Sequence, residues 1–205
     1  MPLLPGHGTA LEDMIPTRFS DWSAAAEEAY ERLASRTEAV VVAGLSMGGA
    51  LTNWLAERHP EIVGIILINP QVEPVGAELA DGAAALLAAD IETIDGIGND
   101  IAKEGGDERA YSQLPLAAGI SLFEAVAEIA GELESIRCPA LLFSSSQDHV
   151  VAPTNGAFLM ERIGGPVDQV ILERSYHVAT LDHEADLIED KSVAFIERIT
   201  AGLTS

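Results

Sequence analysis

The chain has 205 residues, is 48% hydrophobic with a mean hydropathy of +0.20, and carries 33 acidic against 11 basic side chains, a formal net charge of −22. That length suits one compact domain, or one domain with an insert, burying about 70% of its unfolded surface. The acidity argues against a nucleic-acid partner or an anionic membrane surface, and no stretch has the roughly 18 uninterrupted apolar residues of a membrane span.

The N-terminus has no basic-then-apolar export signal. The single cysteine, Cys138, permits no internal disulfide and reads as a small apolar residue at a strand entrance. Both features fit a cytoplasmic protein.

In chain order, the opening "MPLLPGHGTA" is a turn with no strand or helix before it. Residues 20–36 predict a helix, with Trp22, Ala26, Ala29, Tyr30 and Leu33 on its inner face and Ser20 or Asp21 as N-cap. "EAVVVAGL" (38–45) predicts a buried strand. Residues 47–59 follow as a helix with Met47, Ala50, Leu51, Trp54 and Leu55 in one stripe. "GIILIN" (64–69) is a second strand, stopped by Pro70.

Residues 71–135 break this rhythm. They are rich in Ala and Gly, and only 119–136 is plainly amphipathic. They read as a helical insert capping the strand ends, where parallel sheets bind ligands. "PALLFSSS" (139–146) and "VDQVILE" (167–173) are further strands, with helices at 154–163 and 184–200. The last helix points Ile188, Phe195, Ile196 and Ile199 inward. Near-continuous apolar strands alternating with helices predict an α/β fold, its parallel sheet covered on both faces. The core comprises residues 1–70 and 136–205, and the cap 71–135.

"AGLSMGG" (43–49) places Gly44-x-Ser46-x-Gly48 between a strand and a helix. A turn this tight needs glycine on both sides of the serine. It lifts Ser46 Oγ clear of the sheet and aims the Met47 N–H at an oxyanion, aided by the positive end of the helix. A serine hydroxyl needs a base. Of the five histidines, His177 in "ERSYHVATLD" follows a strand at its carboxyl end. His59 and His183 read as surface residues, and His149 lines its loop. Asp148 in "SSSQDHVV" is the candidate acid, with Glu73 and Asp182 as alternatives. Ser46, Asp148 and His177 occur in that order, each after its own strand.

These segments resemble the bacterial carboxylesterase and monoacylglycerol lipase branch of the α/β-hydrolase family. The likeness runs through "LPGHGT", Phe19–Trp22, "GLSMGG", Ser146–Asp148 and His177–Asp182, nearly the whole chain. It implies nucleophile Ser46, acid Asp148, base His177 and the Met47 N–H as an oxyanion donor. It also implies a small helical cap and no metal or organic cofactor. The apolar cap points to an acyl chain of short to medium length, as in simple carboxylic esters or monoacylglycerols.

The family's sheet begins with further strands ahead of its "LPGHGT"-like segment, including a loop that supplies a second oxyanion N–H. "GHG" (6–8) matches the later loop instead. The expectation is therefore that the N-terminal part of the sheet is missing and that Met1 is an internal residue of a longer protein. Two alternatives stay open: a non-catalytic, unstable fragment, or another chemistry of the family, such as perhydrolysis or C–C bond hydrolysis. Nothing in the sequence indicates the oligomeric state.

Overall fold

The structure, a computed structural model, describes residues 1–202. After a short helix α1 (Leu11–Met14), the elements alternate: α2 (Phe19–Ala34), β1 (Val41–Leu45), α3 (Met47–Arg58) and β2 (Gly64–Ile68). Then come α4 (Ala77–Ala88), β3 (Thr93–Asp95), β4 (Gln113–Pro115) and α5 (Leu116–Glu132). The chain returns to the sheet through β5 (Ala140–Ser145), α6 (Thr154–Arg162), β6 (Val167–Leu172) and α7 (Ala185–Thr200).

The main sheet is parallel, in the order β1-β2-β5-β6. All four strands therefore end on one edge. β2 and β5 are buried at every residue, as their unbroken apolar runs require. β1 and β6 are the flanking strands and are only partly covered. Ala43 of β1 is exposed, and Ile171 of β6 is 47% exposed.

Two apolar clusters face the sheet from opposite sides. The larger joins Trp22 and Tyr30 of α2, Leu51 and Leu55 of α3, and Val126 and Ile129 of α5 to the inner strands. The smaller joins Ile188 and Phe195 of α7 to Ile66, Ile68, Leu141 and Phe143. α3 is buried on most of its circumference, with Thr52 and Asn53 as well as its apolar stripe under cover.

The helical stripes need three corrections. Leu33 of α2 is 40% exposed and Ile196 of α7 is 38% exposed, so each lies at the solvent margin of its stripe. The N-cap of α2 is Arg18, in extended backbone, rather than Ser20 or Asp21. Asp21 serves from the first turn, accepting the Arg18 N–H at 2.8 Å, the reciprocal half of a capping box.

Residues 71–135 hold α4, the β3–β4 antiparallel pair and α5. No residue of α4 is buried. α5 instead belongs to the larger cluster, and its Ser121 Oγ accepts the Phe19 N–H at 2.9 Å. The opening loop folds back on this framework. Trp22 Nε1 donates to the Pro5 carbonyl at 3.0 Å, and the Tyr111 hydroxyl donates to Gly6 at 2.9 Å.

Candidate active site

Ser46 sits between β1 and α3 at φ 54°, a strained position for a residue with a side chain. Its backbone is held from several directions. Ser46 N–H donates to Ile68 at 3.0 Å, and its carbonyl accepts N–H groups from Gly49 at 2.8 Å and Gln71 at 3.1 Å. Met47 is the first residue of α3, so its amide lies at the positive end of that helix.

The glycine requirement differs from the sequence reading. A Cβ on Gly44 would lie 1.9 Å from the Gly48 carbonyl oxygen, and one on Gly49 would lie 2.5 Å from Pro70 Cβ. A Cβ on Gly48 would meet nothing within 4 Å among the described residues. The turn therefore demands Gly44 and Gly49, because α3 crosses closely over β1 and Pro70. It does not demand Gly48.

Asp148 follows β5 and His177 follows β6. His177 Nδ1 lies 2.8 Å from Asp148 Oδ2, with side-chain exposures of 7% and 2%. The other carboxylate oxygen of Asp148 accepts the N–H groups of Val150 and Val151, each at 2.8 Å. The carboxylate is thereby fixed in its own turn before it meets the ring. With Nδ1–H donated to Asp148, His177 Nε2 presents its lone pair.

The alternative acids have other partners. Glu73 accepts the Thr154 hydroxyl at 2.6 Å. Asp182 accepts four backbone N–H groups, those of Ala102, Lys103, Tyr176 and His183, at 2.7–2.9 Å. The remaining histidines have other partners or face solvent. His7 contacts Pro5, His59 is held between Glu27 and Glu61, His149 pairs with Asp100, and His183 is exposed.

Several polar residues that hold the site escaped the sequence reading. Asn69 (φ 43°) closes β2, between the Ser46 turn and the other two loops. Its Nδ2 donates to Ser145 Oγ at 2.9 Å and to the His177 carbonyl at 2.8 Å, and its Oδ1 accepts the Ser145 N–H at 2.7 Å. Glu184 accepts the Arg174 and Ser175 N–H groups at 3.0 Å and the Ser175 hydroxyl at 2.9 Å. The available signal was a buried-type strand ending in a polar residue at Asn69, and acids crowding the loop after β6.

Burial works against ionisation of Asp182 and Glu184. Their amide donors outweigh it and hold both carboxyls below their usual range. Glu108 behaves oppositely: burial pushes its carboxyl up, though His177 and the Asp100 amide pull it down. Among the described residues, no group of three or more His, Cys, Asp or Glu side chains is arranged to hold a metal ion. No described helix is long and apolar enough to cross a membrane.

Residues 1–190 match the model of the alpha/beta hydrolase family. The chain is 40% identical over 200 residues to a thermostable monoacylglycerol lipase of Bacillus sp. (strain H-257), covering 97% of this chain and 78% of the relative. It is 24% identical over 200 residues to a carboxylesterase of Bacillus subtilis (strain 168), covering 97% and 80%. Among solved structures, one from work on two metagenome-derived lipolytic enzymes, LipS and LipT, superposes with a TM-score of 0.88 at 40% identity. That match covers 96% of this chain and 80% of the other.

Proposed function

The chain belongs to the alpha/beta hydrolase family and is a carboxylesterase- and lipase-like hydrolase within it, and on that premise we propose that it cleaves carboxylic esters through Ser46, His177 and Asp148. The observation that carries this reading is the buried His177–Asp148 pair at 2.8 Å. It stands on the same sheet edge as the strained serine turn.

Ser46 Oγ attacks the ester carbonyl carbon and gives its proton to His177 Nε2. Asp148 holds the ring's tautomer and stabilises the imidazolium. The Met47 N–H, at the start of α3, donates to the oxyanion. His177 then returns the proton to the departing alcohol. Water, activated by the same ring, hydrolyses the acyl-enzyme.

Short to medium acyl chains, as in monoacylglycerols, are the substrates we assign. Supporting this, residues 71–97 expose Leu79, Leu86, Ile91, Ile94 and Ile97, apolar surface of the kind an acyl chain binds. Within residues 71–135 we assign the stretch ahead of α5 the role of a cap over the catalytic edge, since α5 packs in the larger core cluster.

The test is hydrolysis of p-nitrophenyl esters of graded chain length by the parent and Ser46→Ala. The expected result is a chain-length optimum in the parent and a loss of kcat of about 10⁶ in the variant. Equal rates in the two would remove Ser46 from the mechanism.

A further inference from the structure

Asp100 lies outside the triad, in the loop between β3 and β4, yet it touches the loops that carry both the base and the acid. One carboxylate oxygen accepts the His177 N–H at 3.0 Å and the His149 N–H at 3.2 Å. The other faces His149 Nδ1 at 2.8 Å. The Asp100 carbonyl accepts the Val178 N–H at 3.1 Å. The side chain is 13% exposed.

His149 is the residue after Asp148, and its ring meets Tyr176, the residue before His177, edge-on at 4.6 Å. One carboxylate on the insert therefore ties the acid loop to the base loop. Two residues further along the chain the tie runs in reverse. Asp182, from the base loop, accepts the Ala102 and Lys103 N–H groups.

We propose that Asp100 is a positioning residue, holding His177 in register with Asp148. This rests on the assignment of Ser46, His177 and Asp148 made above. The hydrogen bonds supply the geometry, since a displacement of about 1 Å at a base can cost about 10²-fold in rate.

The carboxylate charge strengthens those hydrogen bonds. The ionisable groups facing His177 are Asp148 at its ring, Asp100 and Glu108 from the insert, and Asp182 beyond Tyr176. His149 lies across Asp100. Burial opposes ionisation of Asp100, but the His177 and His149 donors outweigh it and keep the carboxyl below its usual range. The charge is thus present throughout the range in which an esterase base works.

The experiment compares the parent with Asp100→Ala, Asp100→Asn and Ser46→Ala. Asp100→Ala is expected to lose about ten- to a hundredfold in kcat with KM little changed. Asp100→Asn can still accept the His177 N–H, so most of kcat should return.

A second readout needs no turnover. The His177 amide, followed by hydrogen exchange, should exchange about tenfold faster in Asp100→Ala and at the parental rate in Ser46→Ala. An unchanged kcat, or a parental exchange rate, in Asp100→Ala would overturn the proposal while leaving the triad intact. Turnover surviving in Ser46→Ala would overturn the triad assignment and this inference with it.

Discussion

Ser46 is flanked by two glycines that differ in what they do. At Gly44 the Gly48 carbonyl oxygen occupies the space a methyl group would need, 1.9 Å from an ideal Cβ. No side-chain adjustment relieves a clash with backbone, so α3 would have to lift away from β1. Gly48 faces open space and needs no positive φ. Gly44→Ala should therefore fail to fold or lose several degrees in Tm. Gly48→Ala should melt at or above the parental Tm, by up to about 2–4 °C for a gain of up to about 1 kcal/mol of helix propensity. Thermal unfolding of the two variants checks this, and an equally destabilised Gly48→Ala would contradict the stated packing. The strain at Ser46 itself, about 1–3 kcal/mol for such a φ, is offset by the hydrogen bonds that lock its carbonyl and amide to Gly49, Gln71 and Ile68.

At the scale of elements, the loop after β6 is held by buried carboxylates in place of a ladder. Asp182 is 2% exposed and Glu184 is 7% exposed. Both carboxyls sit below their ordinary values of 3.8 and 4.5 in the folded chain. A depressed folded pKa contributes stability above the unfolded value, and that stability is lost as pH falls through the folded one. Asp182→Asn should then lower Tm clearly at pH 7, by an amount equivalent to about 2–3 kcal/mol. The gap should narrow steadily below about pH 4 as the parent's own carboxyls protonate. A pH series of melting curves checks this, and a gap that stays constant down to pH 3 would refute the account.

The same elements mark what the sequence could carry. β2 and β5 were legible because burial on both faces leaves an unbroken apolar run. Asp148 drew notice because it follows the buried run of β5, whereas Ser46 and His177 follow the partly covered β1 and β6 and were picked out by the Gly-x-Ser-x-Gly turn and by chain order. Residues 71–115 were not legible, since α4 buries nothing and so has no inner stripe, and β3 and β4 are three residues each. Asp100 and Asp182 were illegible as clamps, because only the folded loops bring positions 100–103 and 176–182 together. Arg18 as N-cap was hidden because the role was set by its backbone, and Asp21 mimicked a cap from the first turn.

The molecule as a whole carries 33 acids against 11 bases, and few of the bases sit in pairs that would cancel the excess. The ion pairs among the described residues that involve arginine are Arg58–Glu57, Arg162–Glu161 and Arg198–Asp168, most of their partners well exposed. Exposed pairs contribute about 0–1 kcal/mol each, so the net self-repulsion of a −22 chain is largely uncompensated in the compact state. Its reach depends on salt, because the Debye length is about 30 Å at 0.01 M and about 8 Å at 0.15 M. Raising sodium chloride from 0.01 to 0.15 M at pH 8 should therefore raise Tm. Each 1 kcal/mol of relieved repulsion corresponds to about 2–4 °C for a chain of this size. Near the sequence pI of about 4.3 the net charge vanishes, and the same salt step should leave Tm nearly unmoved. Melting curves at the two pH values and two salt concentrations make the comparison. Chloride at this modest concentration keeps the general strengthening of apolar burial by excluded salts out of the result. A salt step that acts equally at both pH values would show that repulsion between the acids is not what limits the fold.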